Sequence, residues 1–212
     1  MYETSILLVL GIGFVLGLKH ATDPDHIVAV TTFIGKEKRI ARGCAIGLFW
    51  GLGHTLALSI VGLAVVGLKI PMSKWLAERL ELGVAGMLIV LGARLIATVH
   101  SKWHEHHHEF EWTRLGLRPL LVGIVHGTAG SAALTLLVLS TISSTVHALL
   151  YIVIFGIGSM VGMVVISLLL AVPLNLARER MAGAMRPIQV GTGVFSCLFG
   201  LYLGATILMN LQ

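Results

Sequence analysis

Long apolar stretches separated by short charged ones run the length of the chain. A helix that crosses the hydrocarbon core of a bilayer needs about 20 apolar residues. Six runs reach that length, at 5–34, 43–68, 80–99, 118–141, 146–172 and 188–210. The first is interrupted by polar residues at 20–26. As one unbroken helix it would be about 45 Å long, too long for the core. Asp23 followed by Pro24 reads as an N-cap and first-turn pair, so this helix is predicted to break near 20–23 and restart at 24. Pro119 and Pro187 fall where a first turn tolerates proline, and Pro71 and Pro173 where helices are expected to stop. The pattern predicts an all-α polytopic membrane protein of six transmembrane helices.

Composition narrows the class. Of the 212 residues 56% are hydrophobic and 12% charged, with a mean hydropathy of +0.92. A soluble domain carries about 25% charged residues, and one of this size exposes too much surface to hide so much apolar side chain. An ordinary soluble enzyme, a disordered chain and a disulfide scaffold are excluded. Cys44 and Cys197 lie in or beside apolar runs without metal-type spacing. The first five residues contain an acid and no basic leader region, so no signal peptide is expected.

The net charge of +5 does not indicate a nucleic-acid partner, because the cations cluster between apolar runs. The first, third and fifth loops hold Lys36, Lys38, Arg39, Arg42, Lys102, Arg114, Arg118, Arg178, Arg180 and Arg186. The even loops hold only Lys69, Lys74 and Arg79, while Lys19 and Arg94 lie within helical runs as snorkelling or pairing residues. Cytoplasmic loops carry the excess of Lys and Arg. The odd loops are therefore expected in the cytoplasm and both termini outside the cytoplasmic membrane.

The two halves resemble each other. Gly17-Leu18-Lys19-His20-Ala21-Thr22 aligns with Gly123-Ile124-Val125-His126-Gly127-Thr128 at an offset of 106, and Gly51-Leu52-Gly53-His54 with Gly156-Ile157-Gly158-Ser159 at 105. Three spans per half make the second half run upside down relative to the first. The expected organisation is one transmembrane domain, 1–212. It comprises a three-helix repeat at 1–99, a cytoplasmic His-rich loop at 100–117 and a second, inverted three-helix repeat at 118–212. Inverted repeats with an interrupted helix are a transporter signature.

His20-Ala21-Thr22-Asp23-Pro24-Asp25-His26 holds the two aspartates of the chain and two of its ten histidines. Ionisable groups inside a span are costly and are functional candidates by default. A break there lets the His20, Asp25 and His26 side chains converge, with Asp23 as a further candidate. Imidazole nitrogen with carboxylate oxygen and no thiolate suits a borderline divalent ion such as Ni(II) or Co(II). His54, deep in the second span, and His126, at the position equivalent to His20, are further candidate ligands. Each also has a plainer reading as a hydrogen-bonding partner between helices. Thr55, Thr128, Ser131 and Ser159 are candidates for lining a path, or for helping helices pack.

The spacing His20-x4-Asp25-His26 resembles the signature of the nickel/cobalt permeases, the NiCoT family. Gly51-Leu52-Gly53-His54-Thr55 is similar to that family's next motif. In place of the Asp-, Thr- and Glu-rich second-half motif of eight-span members, this chain has His126-Gly127-Thr128-Ala129-Gly130-Ser131-Ala132. That departure resembles the short six-span branch associated with urease or nickel superoxide dismutase. The resemblance implies uptake of Ni(II) or Co(II) across the cytoplasmic membrane and a role in transport for His20, Asp25, His26 and His54.

His104-Glu105-His106-His107-His108 in the third loop formally matches the zinc-protease pattern HExxH and the HxxHH of membrane di-iron oxygenases. The protease pattern needs an ordered helix and the oxygenase several such boxes, so the segment reads as a solvated His/Glu-rich loop or a cytoplasmic metal buffer. The expectation is a permease and not an enzyme, with no cofactor and the metal as substrate. Its partners are the lipid bilayer and a cytoplasmic metal acceptor. A divalent-metal exporter and a membrane metalloenzyme are the alternatives.

Overall fold

The computed structural model describes residues 2–67, 73–100, 112–129 and 144–210. These form seven α-helices and, among the described residues, no strand. They are α1 (Tyr2–His20), α2 (Pro24–Ile34), α3 (Ile40–Gly62), α4 (Lys74–His100), α5 (Trp112–Thr128), α6 (Thr145–Arg180) and α7 (Met185–Asn210). A π-helical turn, Leu63–Gly67, extends α3. Helices α3, α4, α6 and α7 are long and apolar enough to cross a membrane, and α1 with α2 makes a fifth candidate span bent by 55° at the break. The predicted fourth span is described only to Ala129, and the remainder of 118–141 lies outside the described residues, as does the loop bearing His104, His106, His107 and His108.

The break falls where the sequence places it. α1 ends at His20, Ala21–Asp23 turn, and Pro24 opens α2. Asp23 has the extended backbone of an N-cap (φ −60°, ψ 142°), but its side chain makes no cap hydrogen bond. It accepts instead from His20 Nδ1 at 2.7 Å.

Two prolines sit differently from expectation. Pro119 is not in a first turn, because α5 starts earlier, at Trp112, within the segment expected to be loop. Pro173 does not stop a helix, since α6 continues to Arg180. Its C-terminal end is anchored: Arg178 Nη2 donates to the Gly35 carbonyl at 3.0 Å and Asn175 Nδ2 to the Ala171 carbonyl at 2.9 Å. The first ties α6 beyond Pro173 to the end of α2, and the second lies within α6.

The main packing pairs are α3 with α5, α1 with α6, α3 with α6, and α4 with α7. Glycines let the backbones touch. A Cβ on Gly123 would strike the Trp50 carbonyl and approach the His54 amide; one on Gly17 would strike the Phe155 carbonyl and approach the Ser159 amide. Residues 17 and 123 differ by 106, and 50 and 155, like 54 and 159, by 105. Gly53 against the Leu120 carbonyl in α3–α5 likewise matches Gly158 against the Phe14 carbonyl in α6–α1.

The helix ends flanking the first, third and fifth loops gather on one face. Gln189 Nε2 and Arg178 Nη2 both donate to Gly35, at 2.7 and 3.0 Å, and Lys36 Nζ donates to Thr98 Oγ1 at 2.9 Å. Arg118 and Pro119, early in α5, line one pocket with Lys36 and Glu37, and His126, near its end, meets Asp25, so α5 starts at the face where α2 ends and runs opposite to it.

Candidate metal centre

Four helices deliver imidazoles to one place. His20 is the last residue of α1, His26 lies in the first turn of α2, His54 in the middle of α3 and His126 near the end of α5. The ring centroids are 4.6 Å apart for His20–His26, 5.1 Å for His20–His54, 5.3 Å for His26–His54 and 4.1 Å for His26–His126. His54 is fully buried, and His26 and His126 are each 2% exposed. The close glycine approach sets this arrangement, because Gly123 and Gly127 bring α5 onto the backbone of Trp50 and His54.

The two aspartates hold the rings from outside. Asp23 Oδ2 accepts from His20 Nδ1 at 2.7 Å. Asp25 accepts through Oδ1 from His26 Nδ1 at 3.2 Å and through Oδ2 from His126 Nε2 at 2.7 Å. A carboxylate on one ring nitrogen fixes the tautomer and leaves the other nitrogen with a lone pair, as around metal-ligating histidines. That second nitrogen is buried without a hydrogen-bond partner in His20 (Nε2), His26 (Nε2) and His126 (Nδ1), and both nitrogens of His54 are so as well. Each such group costs about 1–3 kcal/mol. A helix break held only by hydrogen bonds would not gather five of them in one spot. An ion that accepts one lone pair from each ring would offset much of the cost.

Two overlapping donor sets share His26. In one, donor atoms of His20, His26 and His54 lie within 4.8 Å of one another; in the other, those of Asp25, His26 and His126 do. In the first, every histidine keeps a ring nitrogen free of hydrogen bonds. In the second, Asp25 already accepts from both His26 and His126, so a cation held through those atoms would have to displace protons. Asp23 belongs to neither set and acts on His20.

The path candidates divide. Thr55 Oγ1 donates to the Gly156 carbonyl at 2.9 Å, bridging α3 to α6, and Thr128 Oγ1 donates to Val125 in its own helix at 2.8 Å. Both hydroxyls serve the backbone. Ser159 is fully buried with its hydroxyl unpartnered, and Ser131 lies outside the described residues.

Two aromatic walls went unrecognised in the sequence. Trp50 stacks on His26 with ring centroids 5.7 Å apart and planes within 9°, and Phe155 lies 5.6 Å from His20. Each sits one helical turn before a repeat-equivalent position, His54 or Ser159, which is the signal that would have found them.

The chain is 36% identical to the urease accessory protein UreH of Bacillus sp. (strain TB-90), over 95% of this chain and 92% of the relative. No protein-family model matches the chain, and no solved structure matches it.

Proposed function

Because the chain belongs to the family of the urease accessory protein UreH, we propose that it is a permease that takes up Ni(II), with Co(II) as the alternative ion, across the cytoplasmic membrane. The observation that carries this reading is the convergence of buried, unpartnered imidazole nitrogens of His20, His26 and His54 inside a bundle of apolar helices. Nitrogen donors without thiolate suit a borderline divalent ion. Urease is a nickel enzyme, so an accessory protein that supplies nickel fits the relative's name.

In this reading six spans form two inverted repeats, one over 1–99 and one over 118–212. The paired contacts of Gly17 and Gly123 support it, because they recur at the offsets read from the sequence. Metal enters from outside, loses most of its water to the three imidazoles, and is released inward when the repeats reorganise. Asp25 and His126 offer the second donor set on the same ring of His26. Two elementary charges moving inward through 100 mV gain about 4.6 kcal/mol, so the potential can drive uptake. Both termini lie outside, and the segment between α4 and α5, with its four clustered histidines, buffers metal for a cytoplasmic acceptor. The protein supplies no catalysis.

Radiolabelled Ni(II) and Co(II) uptake into proteoliposomes with an imposed inside-negative potential tests this. Potential-dependent accumulation supports the reading. Flux no greater than in protein-free liposomes contradicts it.

A further inference from the structure

Away from the histidines, a pocket of about 520 Å³ opens between α2, α4 and α5 at the face where the basic loops meet. Its lining is graded. Lys36, Arg94 and Arg118 stand at one end with Thr98, and Ile46, Met87, Val90 and Leu121 form the walls. On α4 the lining residues Met87, Val90, Leu91, Arg94 and Thr98 follow helical spacing, a stripe about 16 Å long. On α5 Arg118 is followed by Leu121 and Val122. The two helices run in opposite directions, and both place their cation toward the loop face with the apolar residues deeper.

The charged end is unbalanced. Among the described residues that line it are three cations and one carboxylate, Glu37, which lies 3.8 Å from Arg42. Arg94 and Arg118 have no ion pair among the described residues. Burial, and then the neighbouring Arg94 and Arg118, push the Lys36 amine below the usual lysine value. A divalent metal would be repelled here, so the pocket is no part of a cation path. The walls are open sideways, with Val90 56% and Leu121 51% exposed. α4 touches α5 far less than it touches α7.

We propose that this pocket binds one anionic phospholipid, its phosphate headgroup held by Lys36, Arg94 and Arg118 and an acyl chain lying along Val90 and Leu121. A basic pocket between spans favours an anionic headgroup over a zwitterionic one, and the lateral apolar opening fits a lipid tail that a free phosphate lacks. The inference does not depend on which ion the histidines carry.

The test uses the full chain in detergent with equal amounts of phosphatidylglycerol and phosphatidylcholine, and native mass spectrometry to count retained lipids. One phosphatidylglycerol per chain is expected. The double variant Arg94→Gln/Arg118→Gln should weaken retention by about 30-fold, several-fold for each cation. Lys38→Gln/Arg180→Gln, which removes basic residues outside the lining, should leave it unchanged. Leu121→Trp, filling the apolar part, should also displace the lipid while leaving both arginines in place. Equal retention of the two lipids, equal loss in both double variants, or retention unaffected by Arg94→Gln/Arg118→Gln would overturn the proposal. Displacement of the lipid by excess inorganic phosphate, with Leu121→Trp silent, would also overturn it by marking a free-anion site.

Discussion

His126 donates to Asp25 at 2.7 Å, joining residues 101 positions apart in sequence. Asp25 accepts from His26 through its other oxygen. One carboxylate thus links the broken first span to the equivalent position in the opposite half of the chain.

That link makes Asp25 and His126 a coupled pair. Asp25→Asn should lower Ni(II) affinity by about 10–100-fold, as loss of a ligand-orienting carboxylate does. His126→Ala should act through the same hydrogen bond, so the double variant should be less impaired than the product of the single effects. Isothermal titration of purified, folded variants checks this. Fully multiplicative losses would show that the two residues act independently.

Asp23 is assigned to His20 and not to the metal. Asp23→Ala should therefore weaken binding by about 10–100-fold without abolishing it, whereas His20→Ala should remove a donor and cost more. Equal losses in the two variants, measured by the same titration, would make Asp23 a ligand.

Glycine contacts give a prediction that involves no metal. Gly123→Ala and Gly17→Ala place a methyl against the Trp50 and Phe155 carbonyls. Each should destabilise by about 1–3 kcal/mol. Gly83→Ala and Gly86→Ala, with nothing within 4 Å of the new Cβ, should be neutral or stabilising in an α-helix. Denaturation in detergent compares the four. Equal effects would mean that the two crossings are not close-packed.

These contacts also show how much could be read from the chain. The helical class and the break at 20–23 were legible, because run length and the Asp23-Pro24 pair are local signals. The convergence of His20 with His26 was legible in kind, since only a broken helix allows it. What each carboxylate does was not. Whether Asp23 caps α2 or turns back to His20 depends on ring placement, which α3 and α5 settle through packing. Pro173 misled because the anchor that keeps α6 helical beyond it, Arg178 on Gly35, is 143 residues away in sequence. Trp50 and Phe155 were hidden among many apolar residues and stand out only when the repeat offset is applied to them.

Orientation is tested by single-cysteine labelling in intact cells. Labels at Glu3, within 69–79 and at Gln212 should react with an impermeant reagent from outside. Labels at Lys38, His106 and Arg180 should react only after permeabilisation. External reaction at Lys38 would reverse the topology.

The most direct test of the account is His54→Ala, with Ni(II) binding and potential-driven Ni(II) uptake measured on the same proteoliposomes. His54 is fully buried and neither of its ring nitrogens has a hydrogen-bond partner among the described residues, so its removal breaks no polar contact there. The account predicts a folded protein, inserted in equal amount, that loses high-affinity binding and uptake together. Wild-type binding and uptake in that variant would contradict it.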